Sequence, residues 1–234
     1  MNWISSCRSD GDPPVSDPGL PKRLLRHLFE TGRVGIGCRV LDVGCGGGNL
    51  LRFLNQLCLD ATGLDESPQN VETARALAPE LDVYCGRAQD PLPFAEHTFN
   101  LVLVRDLAVY EGELFSFGAL LSTARLLAAV RPGGHLLIVR QLQYSESMGP
   151  ILHQDDCYLQ HLQVFTKAAT CTRISTRWNW IPWKRSAGEY QVAGVQVPVR
   201  ARSLKEWLKI GRRVATEGLG CGCRSQSIAL RRVA

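Results

Sequence analysis

The chain has 234 residues, 45% of them hydrophobic, which is enough apolar material for one large α/β domain and excludes wholesale disorder. No apolar run approaches the roughly 20 residues that a membrane-spanning helix needs. The first 20 residues hold Asp, Gly, Pro and Ser without an apolar stretch, so a soluble cytoplasmic protein is expected. The net charge of +5 is unevenly divided: residues 1–170 carry −5 and residues 171–234 carry +10, an asymmetry that can mark an anionic partner. The nine cysteines include no Cys-x-x-Cys, and Cys221 and Cys223 are the only close pair. This pattern points away from a disulfide framework and towards a reducing compartment, and no metal site is expected.

In chain order, residues 1–17 read as a flexible arm. A helix is expected from about Pro18, capped by Asp17, with Leu20, Leu24, Leu25, Leu28 and Phe29 at helical spacing. A regular alternation follows. Arg39–Val43 is a short strand, Asn49–Cys58 a helix, Ala61–Leu64 a second strand, and Ser67 and Pro68 open a helix reaching Ala78. Leu81–Cys85 is a third strand and Phe99–Val104 a fourth. Leu114–Val130 is a long helix, Arg131-Pro-Gly-Gly134 a turn and His135–Val139 a fifth strand. Apolar strands alternating with helices predict a Rossmann-like, doubly wound α/β fold: a mostly parallel, seven-stranded sheet with helices on both faces. Residues 18–234 are expected to form one domain, with a ligand-binding core at 39–139 and an acceptor-side, sheet-completing part at 140–234. In that last part Gln154–Thr170 reads as a helix and Arg173–Ile181 as a strand. The alternating Val195, Val197 and Val199 read as an edge strand because of Pro198. Ser203-Leu-Lys-Glu206 is a capping box for a helix to Glu217, and Ser227–Val233 a last strand.

In doubly wound sheets ligands bind beyond the carboxyl ends of the strands, and the unusual residues of this chain fall there. Val40-Leu-Asp-Val-Gly-Cys-Gly-Gly-Gly48 ends a strand and opens a helix, placing flexible backbone where a ligand can approach. Its glycines at 44, 46 and 48 do not match the dinucleotide pattern, which requires glycine at 49, where this chain has Asn49. Asp42 lies within the strand, where a carboxylate suits a ligand with an ammonium group better than a pyrophosphate. Asp65 ends the second strand, where an acid can accept hydrogen bonds from ribose hydroxyls. A nucleoside ligand is expected.

The segment resembles the UbiE-like class I S-adenosylmethionine-dependent methyltransferases. The family's LDVGCGTG string reads Leu41-Asp-Val-Gly-Cys-Gly-Gly-Gly48 here, and its GDAxDLPF string reads Gly86-Arg-Ala-Gln-Asp-Pro-Leu-Pro-Phe94. Its FDLVV strand is Phe99-Asn-Leu-Val-Leu103 and its LKPGG turn Val130-Arg-Pro-Gly-Gly134. The resemblance implies that S-adenosylmethionine is the cofactor. Asp42 with Gly44, Cys45, Gly46 and Gly48 would hold its methionine part. Asp65, with Glu66 beside it, would hold the ribose, Ala88 and Gln89 would lie against the adenine, and Arg105 would sit near the methionine end. The departures are Arg87 in place of an acid, the extra Pro91, and Asn100 in place of Asp; they bear on the adenine edge more than on the ribose.

Methyl transfer from a sulfonium needs positioning above all, and a base only where the acceptor must lose a proton early. Candidates on the acceptor side are Arg105, Asp106, Tyr110 and Glu111 after the fourth strand, with Tyr144 and His153 after the fifth; Asp106, Tyr110 and His153 are the catalytic candidates. The chain lacks an Asn/Asp-Pro-Pro-aromatic string after the fourth strand and a Pro-Cys pair, so a small-molecule acceptor is expected. The alternatives are a nucleic-acid or protein acceptor held by the basic, Trp-rich stretch 173–185, which includes Trp178, Trp180, Trp183, Lys184 and Arg185, and a non-catalytic relative that keeps the fold.

Overall fold

The computed structural model describes residues 28–30, 33–105, 107–111, 116–142, 172–175, 189–200 and 202–217. Its elements run β1 (Arg39–Val43), α1 (Asn49–Gln56), β2 (Asp60–Asp65), α2 (Pro68–Leu77), β3 (Asp82–Cys85), β4 (Phe99–Arg105), α3 (Ala108–Glu111), α4 (Phe117–Ala129), β5 (Val130–Leu142), β6 (Thr172–Ser175), β7 (Glu189–Gln196) and α5 (Leu204–Glu217). Of the first expected helix, Leu28–Glu30 is described and is helical. The arm, the helix at 154–170, the strand at 227–233, and Cys221 and Cys223 lie outside the described residues.

The strands form one sheet in the order β3-β2-β1-β4-β5-β7-β6. β1 to β5 are mutually parallel, and β7 runs antiparallel between β5 and β6. The sheet is doubly wound and mostly parallel, as the alternation of elements predicted. The side chains show why. Leu101, Leu103, Leu137 and Val139 point to one face, where they meet Leu50, Leu51 and Leu54 of α1 and Val71 and Ala74 of α2. Val102, Val104, Leu136 and Ile138 point to the other, against α4 and Trp207 of α5. β4 is covered on both sides, and its central residues Leu101–Val104 therefore read as a continuous apolar run.

Local signals set the helix ends. Ser67 caps α2 by accepting from Asn70 N at 3.3 Å, and Ser116 caps α4 by accepting from Ala119 N at 3.2 Å. α4 therefore begins at Phe117, three residues later than its apolar pattern suggested. The capping box of α5 forms as predicted: Ser203 N donates to Glu206 Oε2 at 2.8 Å, and Glu206 N to Ser203 Oγ at 3.4 Å. Trp207 is fully buried. α5 lies so close to α4 that a Cβ at Gly211 would stand 3.3 Å from the Leu120 carbonyl oxygen.

Two expectations are corrected. β7 is an interior strand, because Pro198 falls two residues beyond its end and leaves the ladder intact. Arg131–Gly134 is part of β5 as a bulge rather than a separate turn: Phe99 pairs with Val130 and Leu101 with His135, so four residues stand opposite Asn100. Among the described residues no helix is long and apolar enough to cross a membrane.

Candidate cofactor site

Strand order reverses between β1 and β4, the position at which open α/β sheets bind ligands. A cleft of about 460 Å³ opens there, lined by the ends of β1, β2 and β4 and by the loop after β3, a volume in the range of small-molecule sites.

The glycine loop is shaped by steric need. Gly44 has φ +79°, and a Cβ on it would lie 2.5 Å from the Arg105 carbonyl oxygen; Gly48 has φ +85°, and a Cβ there would lie 2.9 Å from the Ala74 Cβ. At Gly46, which lines the cleft, a Cβ would meet nothing within 4 Å, so the missing side chain leaves open room for a ligand. Four of the loop's N–H groups are bonded within the protein. Gly44 N and Cys45 N donate to Leu64 O, Gly48 N to Cys45 O, and Gly46 N to Asp65 Oδ2 at 2.8 Å. These four donors are not offered to an anion, which separates the loop from a phosphate cradle.

Asp65 joins the loop to α2. Its Oδ2 accepts from Gly46 N, and its Oδ1 accepts from Ser67 N at 2.9 Å and Asn70 Nδ2 at 3.1 Å. Glu66 and Arg87, both on the cleft wall, stand 3.6 Å apart as an exposed ion pair. Asp42 is fully buried. Arg105 donates to it from Nε to Oδ1 at 3.0 Å and from a terminal nitrogen to Oδ2 at 2.8 Å, and reaches Gly44 O at 3.5 Å.

Of the expected cofactor residues, Gly44, Gly46, Asp65, Glu66, Ala88, Gln89 and Arg105 line this cleft. Asp42, Cys45 and Gly48 do not. Asp42 lies beneath the cleft and holds Arg105, Gly48 packs on Ala74, and Cys45 is buried with its sulfur 2.9 Å from where a Cβ on Gly63 would be. Burial first, then Asp42 and Asp65, push the Cys45 thiol up to about 12 against the lowering effect of Arg105, so it is not a nucleophile at neutral pH. Tyr110 is a correction. It is buried in the core and its hydroxyl pairs with Thr123 Oγ1 at 2.8 Å, away from the cleft lining. Asp106, Tyr144 and His153 lie outside the described residues, as does the Trp-rich stretch beyond Ser175. Asn100 is also reassigned: its Oδ1 accepts from Arg39 N at 3.0 Å, at the opposite end of the strands, so this departure from the family string is structural. The sequence reading missed Asn70, whose position three residues after Ser67 was the available signal, and Leu107 and Val109 on the far wall. Among the described residues there is no group of three or more His, Cys, Asp or Glu able to hold a metal.

With this strand order and this acid-flanked glycine loop, the chain is similar to class I S-adenosylmethionine-dependent methyltransferases. Residues 40–134 match a family model described as a methyltransferase domain. The chain is 37% identical over 101 residues to a ubiquinone biosynthesis O-methyltransferase of a Methylobacterium species, covering 42% of this chain and 39% of that one. It is 36% identical over 127 residues to the protein of that description from Methylobacterium nodulans, covering 52% and 49%. The chain thus spans less than half the length of these curated relatives. A solved S-adenosylmethionine-dependent methyltransferase from Methanosarcina mazei superposes with a TM-score of 0.55 at 12% identity, covering 74% of this chain and 98% of that one, which establishes the shared fold.

Proposed function

We propose that this protein transfers the methyl group of S-adenosylmethionine to a small-molecule acceptor. The observation that carries the reading is the cleft at the switch point, where two adjacent carboxylates face a glycine loop in which the N–H groups of Gly44, Cys45, Gly46 and Gly48 are already bonded within the protein. A carboxylate offers about four acceptor positions. Three on Asp65 are taken by Gly46, Ser67 and Asn70, and the remaining one, with Glu66 on the same wall, suits the two hydroxyls of a ribose. Gly46 would leave room for the chain that joins nucleoside to amino acid, Ala88 and Gln89 would flank the base, and Arg105 would lie beside the methionine end.

Bound there, the cofactor supplies an electrophilic methyl carbon on a cationic sulfur, which becomes a neutral thioether as the acceptor's lone pair forms the new bond. The protein's part is alignment and exclusion of water. Asp42 contributes by neutralising Arg105, so that no uncompensated cation stands in the cleft to oppose the sulfonium. The curated relatives' names support a small acceptor with an oxygen nucleophile as the first class to try. The remaining candidates for handling its proton are Asp106 and His153; the tyrosine hydroxyl at 110 is committed to Thr123.

The test is thermal and chemical unfolding with S-adenosylmethionine, its demethylated product, and NAD as the control. At 100 times its dissociation constant, a ligand of the folded state adds about 2.7 kcal/mol. Stabilisation by the first two ligands and none by NAD is the expected result; stabilisation by NAD alone, or by none of the three, would overturn the reading.

A further inference from the structure

The loop after β3 forms the base-binding wall of the proposed site, and part of its shape is imposed from outside the cleft. Gly86 N donates to Asp65 O at 2.9 Å, and Asp90 N to Arg87 O at 3.0 Å, closing a turn. Ala88 is buried in the core. The Gln89 carbonyl accepts a hydrogen bond from the Arg125 guanidinium. Arg125 comes from α4, whose other residues, Phe117–Ala124 and Leu126–Ala129, carry no charge, and it does not line the cleft. Its Nε is buried without a hydrogen-bond partner, and Asp90 is the acid that acts on it. A lone cation on an otherwise uncharged helix, with one donor left unsatisfied, calls for an explanation beyond packing.

The adjoining wall provides one. An adenine edge offers an exocyclic amine that needs an acceptor, next to a ring nitrogen that needs a donor. Arg87, which occupies the position where an acid could have accepted, has donors only and is paired with Glu66. The one neutral side chain on this wall with both an acceptor and a donor is the Gln89 amide, a pairing that suits adenine.

Resting on the proposed cofactor reading, we infer that Arg125 is a positioning residue: by holding the Gln89 main chain, it fixes the Gln89 amide against the amino edge of the base, and so sets the preference for adenine.

The experiment measures, by calorimetry, binding of S-adenosylhomocysteine and of S-inosylhomocysteine, in which the exocyclic amine is replaced by a carbonyl oxygen. The wild type is expected to prefer the adenosyl compound by tenfold or more. Arg125→Met should weaken adenosyl binding about tenfold and leave inosyl binding nearly unchanged, collapsing the preference, and Arg125→Lys should restore most of it. Gln89→Leu, which leaves α4 untouched, should collapse the same preference even if Arg125→Met does not fold. If Arg125→Met weakens both ligands equally, or Gln89→Leu keeps the preference, the positioning role is overturned while the cleft remains a cofactor site. If the wild type binds neither compound, the cofactor reading falls, and this inference falls with it.

Discussion

Both carboxylate oxygens of Asp42 are bonded to the guanidinium of Arg105, at 3.0 and 2.8 Å, between the paired parallel strands β1 and β4 where the strand order reverses. Asp42 is completely buried and the Arg105 side chain 15% exposed, so the pair behaves as an interior one. Removing one partner of a buried pair costs about 3–5 kcal/mol, whereas replacing both with apolar groups costs far less. Arg105→Met alone is therefore expected to lower stability by that amount, and Asp42→Leu combined with Arg105→Met by much less. Urea unfolding of the four proteins checks this; additive losses would mean that the two residues are not coupled.

Asp65→Ala is expected to weaken S-adenosylmethionine binding at least tenfold, with the chain still folded by circular dichroism. It should also lower the melting temperature, since Gly46 N, Ser67 N and the Asn70 amide lose their shared acceptor. Unchanged affinity would remove Asp65 from the ribose site.

Gly37 and Gly44 separate backbone strain from collision. Both have positive φ, but a Cβ at Gly37 meets nothing within 4 Å, while one at Gly44 meets the Arg105 carbonyl oxygen at 2.5 Å. Gly37→Ala is expected to cost about 1–2 kcal/mol for the left-handed conformation alone. Gly44→Ala should cost clearly more and abolish ligand-induced stabilisation. Equal midpoints in urea would contradict the steric argument.

His135 is 4% exposed and its Nδ1 has no hydrogen-bond partner. Burial, and secondarily Arg33, lower its pKa from 6.5 to about 4. Between those values the unfolded chain binds the proton and the folded chain does not. Stability is therefore fully present above about 6.5 and is lost as pH falls towards 4, a loss of about 2 kcal/mol between pH 7.5 and pH 5. His135→Leu should lack this component, so a variant with the same pH slope as the wild type would exclude His135 as its source.

The central layer of the fold was legible because its signals are local. Strand lengths, apolar faces and the caps at Ser67 and Ser203 are all set within a few residues of sequence. The site was legible only in part. An acid at the end of a strand can be seen at Asp42 and Asp65 alike, but the two do different work because their partners differ. Asp42 meets a cation 63 positions away, whereas Asp65 meets backbone donors on both sides of itself. Tyr110 was misjudged for the same reason, its partner Thr123 lying on the next helix. Arg125 carries no local signal either, because its partner is the Gln89 carbonyl 36 positions away.

The bonds that converge on Asp65 also make it a built-in sensor. Gly46 N and Ser67 N belong to different elements yet share this one carboxylate. Any ligand that draws on its remaining acceptor position should perturb both amides together. Their two proton resonances, followed through a titration, would then move along a common binding curve and report occupancy of the cleft without an added label, before any methyl acceptor has been identified.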